Sequence, residues 1–192
     1  NDYIVKQEVE LELKSRLEDA KGAYEKYPDS EKIGKWYLKV LQNYLKKQQI
    51  TSGTKDIIEE ARGIYRKHPD SEDKAKDYLI ILNDYLMKQE VKSELKSTVE
   101  EANEVYENYP KSEQIGGWYL RILNQYLRKL EDKAELKSTL ERVKGVYEEY
   151  QDSQKFGTIY LIVLSNYAFK RIDKSELESA VEEAKRIYQQ YD

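Results

Sequence analysis

Tyr24-Glu-Lys-Tyr-Pro-Asp-Ser30 decides how this chain reads, because the chain says it repeatedly. It returns as Tyr65-Arg-Lys-His-Pro-Asp-Ser71, Tyr106-Glu-Asn-Tyr-Pro-Lys-Ser112 and Tyr147-Glu-Glu-Tyr-Gln-Asp-Ser153, and the chain closes on Tyr188-Gln-Gln-Tyr-Asp192. The leading tyrosines at 24, 65, 106, 147 and 188 are each 41 residues apart. A constant step of that length marks a tandem array in which each element rests on its neighbours.

Outward from that stretch the helical pattern is plain. Upstream of each copy lies a helix, here type B, with Leu13, Leu17, Ala20, Ala23, Tyr24 and Tyr27 on one face. Spacings of three and four make a single buried stripe. Ser52, Ser93 and Ser175 stand where its N-caps are expected, and the prolines at 28, 69 and 110 stop it. The Asp-Ser pairs then start a second helix, type A, over roughly 31–48, with Glu31 or Glu72 favouring its positive end. Its apolar residues Ile33, Tyr37, Leu38, Val40, Leu41, Tyr44 and Leu45 form a broader stripe, which calls for more than one neighbour. Gly34, Ala75, Gly116 and Gly157 keep one position of helix A small, as close approach of a neighbouring backbone would require. A polar link of about 3–5 residues returns to helix B and makes the pair antiparallel.

Residues 1–15 match residues 83–97, so the chain opens at the end of an A helix and has no initiator methionine. That reads as a fragment, a processed product or an engineered array. The expectation is one repeat domain over 1–192: a partial repeat at 1–28, full repeats at 29–69, 70–110 and 111–151, and a last repeat at 152–192. Five B helices and four full A helices follow. Trp36 and Trp118 recur only in alternate pairs, so the duplicated block is a pair of repeats.

Composition excludes several classes. Lys+Arg 33 against Asp+Glu 37 leaves a net charge of −4, unlike a general polyanion binder. No apolar run approaches the ~18–20 residues that span a bilayer. No signal peptide or lipidation motif is visible. Absence of cysteine excludes disulfides and thiolate metal sites and leaves the compartment open. Eight glycines and three prolines are too few for an all-β fold.

Helix A carries apolar residues at Tyr37, Val40, Leu41 and Tyr44, and helix B closes on an aromatic and a proline. This resembles the tetratricopeptide repeat, over nearly the whole chain. The Tyr-Pro-Asp-Ser junction looks most like longer bacterial variants of it. Two departures stand out: the family period is 34 where this one is 41, and Leu41, Leu82, Leu123 and Leu164 replace the family glycine of helix A. HEAT-like and other helical-hairpin arrays share the architecture. The resemblance implies an all-α, right-handed α-solenoid of antiparallel helix-turn-helix repeats, a non-enzymatic scaffold for protein or peptide partners.

All 18 tyrosines fall in four columns of the period, which marks packing rather than a ligand-stacking set. His68, the one histidine, replaces a tyrosine of that set and has no second ligand for a metal. Acidic pairs such as Glu59-Glu60, Glu100-Glu101 and Glu182-Glu183 recur as a solvated helix face. No phosphate loop, dinucleotide turn, calcium loop or nucleophile elbow is present, so no catalytic residue, metal ligand or cofactor is assigned.

The columns of helix A that vary carry the search for a partner site. Lys39, Ile80, Arg121 and Ile162 form one, Gln42, Asn83, Asn124 and Ser165 a second, and Lys46, Met87, Arg128 and Phe169 a third. The resemblance puts helix A on the concave side, where the middle column would bond a peptide backbone and the flanking columns choose side chains. Two other functions compete. Array ends without polar caps would stack copies end to end into a self-assembling module. Single-stranded RNA would use Trp36, Trp118, Lys39 and Arg121, against the net negative charge.

Overall fold

A computed structural model describes residues 2–47, 53–170 and 173–191. Among them are nine α-helices and no strand: α1 (Asp2–Lys26), α2 (Glu31–Lys47), α3 (Gly53–Arg66), α4 (Glu72–Lys88), α5 (Lys92–Glu107), α6 (Glu113–Lys129), α7 (Lys133–Glu149), α8 (Gln154–Ala168) and α9 (Lys174–Tyr191). Odd-numbered helices are type B and even-numbered ones type A, five and four as expected. Two compact units form, Asn1–Gln89 and Glu90–Asp192. Their boundary falls in the turn between α4 and α5, inside the 70–110 repeat.

The broad A stripe is used as its width demands. In the first unit α2 packs against α1, α3 and α4; in the second α6 packs against α5, α7 and α8. Tyr37, Leu38, Leu41 and Leu45 of α2 are buried, as are Tyr119, Leu120, Leu123 and Leu127 of α6. Burying each such leucine is worth about 1.5–3 kcal/mol.

The tyrosine columns interlock the two helix types. Rings pair as Tyr24–Tyr37 (5.6 Å), Tyr65–Tyr78 (5.3 Å), Tyr106–Tyr119 (4.8 Å) and Tyr147–Tyr160 (4.7 Å). Each pair joins the end of a B helix to the following A helix. The small column of helix A has a different partner from the expected backbone. A Cβ on Gly116 would lie 2.8 Å from the Tyr150 ring, and one on Gly157 would lie 2.2 Å from the Tyr191 ring. The glycines make room for a side chain from the end of the next B helix.

Helix starts are partly as read. Ser112 accepts from the Ile115 amide at 3.1 Å, and Ser30 from that of Ile33 at 3.4 Å. Ser71 and Ser153 occupy the same N-cap position without accepting a helix amide, and Ser71 Oγ donates instead to Glu31 Oε1 at 3.1 Å. For B helices the expected serine caps are corrected. Ser93 lies inside α5, whose N-cap is Val91, and Ser175 lies inside α9. Asp132 and Asp173 cap instead, accepting the amides of Glu135 (2.9 Å) and Glu176 (3.0 Å). A carboxylate there also meets the positive end of the helix. Ser52 lies outside the described residues. Helix α1 is a second correction. It runs unbroken through the stretch matching the turn at 89–91. Glu10 and Leu11 replace Lys92 and Ser93, and leucine sustains a helix better than serine.

The proline rule holds for α1, α3 and α5. Helix α7 ends at Glu149 although Gln151 stands in the proline's place. No described helix is long and apolar enough to cross a membrane.

Candidate functional site

The twelve candidate residues fall into two sets, one in each compact unit. On α2 and α4, Lys39 and Lys46 are exposed, Gln42 and Ile80 half-buried, Met87 exposed and Asn83 buried. On α6 and α8, Arg121, Arg128, Ile162, Ser165 and Phe169 are exposed and Asn124 half-buried. Within each set the A helices are packed side by side, so the columns adjoin.

The middle column is largely engaged between helices. Gln42 Nε2 donates to Asp84 Oδ2 at 3.1 Å, and Lys46 approaches the same oxygen at 3.8 Å. Asn166 Nδ2 donates to Asn124 Oδ1 at 2.8 Å. Asn83 turns its amide to the Met87 sulfur at 3.6 Å, and its buried Oδ1 has no partner. Exposed Arg121 lies 4.7 Å from the centre of the half-buried Trp118 ring, a cation–π pair. Ser165 is exposed beside an apolar recess.

That recess lies between α8 and α9. Its volume is about 370 Å³, and Leu161, Ala168, Phe169, Leu177, Val181 and Ala184 wall it together with Ser165. Phe169 is 87% exposed and Ile162 49%. Exposed Val181 and Tyr188 continue the apolar surface along α9. Val181, Ala184 and Tyr188 lie on the last helix, where an uncapped array end was expected to expose apolar surface, and Leu177 joins them. Leu177, Val181 and Tyr188 share their columns with Leu136, Leu140 and Tyr147, of which Leu136 and Tyr147 are buried, and periodicity alone cannot say which copy is covered.

The acidic pairs do more than face solvent. One member of each pair meets a tyrosine hydroxyl or an arginine. Tyr37 donates to Glu60, Tyr106 to Glu149 and Tyr126 to Glu135. Tyr160 donates to Glu183 at 3.3 Å. Burial first, and the carboxylate second, raise the Tyr37 and Tyr106 phenols far above their ordinary value of 10.0. Tyr150 instead donates to the carbonyls of Pro110 (3.0 Å) and Ser112 (3.2 Å). His68, in the Tyr150 column, has a buried Nε2 with no partner.

Helix α4 departs most from its column mates. Lys74 stands where Ile33, Ile115 and Phe156 stand, fully buried with its Nζ unpartnered. Burial lowers its pKa. Asp77, in the Trp36 and Trp118 column, is buried with Oδ2 unpartnered, and burial raises its pKa. Both were visible in the sequence as polar residues in apolar columns.

Among the described residues no three His, Cys, Asp or Glu side chains converge as metal ligands. Comparison with protein-family models, with curated proteins and with solved structures found no match to this chain.

Proposed function

We propose that the chain is a tetratricopeptide-like array, a right-handed α-solenoid, that serves as a non-enzymatic scaffold for a protein or peptide partner. The observation that carries this reading is the apolar recess between α8 and α9, with Phe169 and Ile162 exposed at its side. A large exposed apolar patch on a charged protein marks a contact surface. A recess of this size suits the anchor side chains of an amphipathic helix laid along it. The engaged Gln42 and Asn124 amides leave recognition to the flanking columns.

Selection of peptides from a displayed library tests the reading. Binders with apolar residues at helical spacing are expected, and Ile162→Lys with Phe169→Ser should weaken them at least about tenfold without loss of helix content. A library that yields no binder, or binders indifferent to both changes, overturns it.

One observation favours a second reading, self-association. Leu177, Val181 and Tyr188 extend the exposed apolar surface along α9, where a second copy could stack. Light scattering across concentration separates the two. A strictly monomeric mass at high concentration removes self-association and leaves the peptide reading standing.

A further inference from the structure

The second unit contains two crevices one period apart, built from the same columns. In the first, between α5, α6 and α7, the Arg142 guanidinium donates to the Tyr119 hydroxyl at 2.6 Å and to Glu100 Oε1 at 3.0 Å. Its carbon lies 5.9 Å from the centre of the Tyr119 ring. In the second, between α7, α8 and α9, Tyr160 and Glu141 occupy the columns of Tyr119 and Glu100. Glu183 occupies the column of Arg142. There a cavity of about 260 Å³ opens, with Glu141, Tyr160, Tyr167, Glu176 and Glu183 in its wall.

We propose that this cavity receives the guanidinium group of an arginine side chain presented by a peptide or protein partner. The acceptors that hold Arg142 one period earlier are repeated here, and the arginine is not. Shape agrees, because the shorter glutamate leaves open the volume that the arginine fills. Size agrees too: the cavity is smaller than the ~300–1,000 Å³ of sites for drug-sized ligands and fits one side chain. The charge is suited to a cation. Glu183 is already paired, with Arg186 of its own helix donating to Oε1 at 2.9 Å and Lys144, which replaces Asn103, 3.7 Å away. Glu141 and Glu176 remain, with Lys137 the other cation of the wall. Arginine fits better than lysine, since its planar fork reaches a carboxylate and a hydroxyl at once and lies flat on a tyrosine ring.

None of the twelve A-helix candidates lines this cavity, so the site stands even if the α8–α9 recess binds nothing.

Titration of the isotope-labelled full chain with Nα-acetyl-arginine amide tests it, with the lysine and citrulline counterparts as controls. Saturable amide shifts at Tyr160, Ser179 and Glu183 are expected for arginine, about tenfold weaker binding for lysine, and none for citrulline. Glu183→Arg restores the filled arrangement and should abolish the shifts while the spectrum keeps its folded dispersion. Glu141→Gln removes a carboxylate without filling the space and should weaken binding about tenfold. If Glu183→Arg fails to fold, Glu141→Gln decides alone. No saturable shift in the native chain, an equal response to lysine or citrulline, or unchanged binding in the folded variants overturns the proposal.

Discussion

The crevice between α5, α6 and α7 is closed, and the one between α7, α8 and α9 is open. Both present a buried tyrosine of helix A, a glutamate of the preceding B helix and a second tyrosine two turns further along helix A. The charged columns differ at Arg142 against Glu183, with a compensating change from Asn103 to Lys144, and three smaller exchanges accompany them: Val99 to Leu140, Ala134 to Ser175 and Thr139 to Ala180. Helix packing is the same in both, so the period fixes the scaffold and single columns decide what stays accessible. The phenols register the change. Burial raises both, but Arg142 opposes the rise and holds Tyr119 to about 12, whereas Glu183 adds to it and sends Tyr160 higher.

The largest effect expected from this comparison is alkaline unfolding. Folding keeps Tyr37, Tyr106, Tyr119 and Tyr160 neutral above 10.0, where they ionise in the unfolded chain. Their contribution to stability is therefore full below pH 10 and is lost as pH rises beyond it. Helix signal should collapse together with the rise of tyrosinate absorbance; full ionisation of a still-folded chain would contradict this.

Next in size is Arg142→Glu, which gives the closed crevice the glutamate of the open one without the lysine that accompanies it. Glu100 and Tyr119 lose their donor and gain a like charge, and the loss should be about 2–4 kcal/mol in urea unfolding. A second change, Asn103→Lys, should recover part of it. No recovery would show that the charged columns alone do not set the two crevices apart.

Lys74→Ile probes a polar intruder that nothing compensates. Restoring the residue type of Ile33 and Ile115 should add about 1–3 kcal/mol, because a buried unpartnered ammonium disappears. The gain should shrink toward pH 10. Burial lowers the Lys74 pKa, so the native chain recovers stability as pH climbs from that lowered value to the ordinary 10.5. The smallest effect belongs to Lys170→Met. It removes two bonds to helix-end carbonyls and should cost about 0.5–1 kcal/mol.

Much of the fold was legible because period and physics coincide. The 41-residue step located all nine helices, and the broad stripe of helix A announced its several neighbours. Either residue of the Asp-Ser pairs was open as the cap of helix A, and the serine accepts a helix amide at Ser30 and Ser112; Asp132 and Asp173 were missed because a nearby serine looks equally good in one dimension. The small column was noticed but its partner was misassigned. Sequence shows that a Cβ is unwelcome, not whether a backbone or the Tyr150 ring excludes it. Of the candidate site, exposure of Phe169 and Ile162 followed from their columns. The bonds of Gln42 to Asp84 and of Asn166 to Asn124 join residues 42 apart, one more than the period, so column-by-column reading passes over them.

Lys88 and Lys170 share one column and do one thing. Lys88 Nζ donates to the carbonyls of Leu45 and Lys46, and Lys170 Nζ to those of Arg128 and Leu130. Each closes from outside the C-terminal end of an A helix made one period earlier. The last turn of α2 is thus completed by a side chain of α4, and that of α6 by one from the end of α8. Helix α8 receives no such lysine among the described residues and is 15 residues long, against 17 for α2 and α6. Where that lysine is present, an A helix is finished by its successor, and the pair acquires a direction.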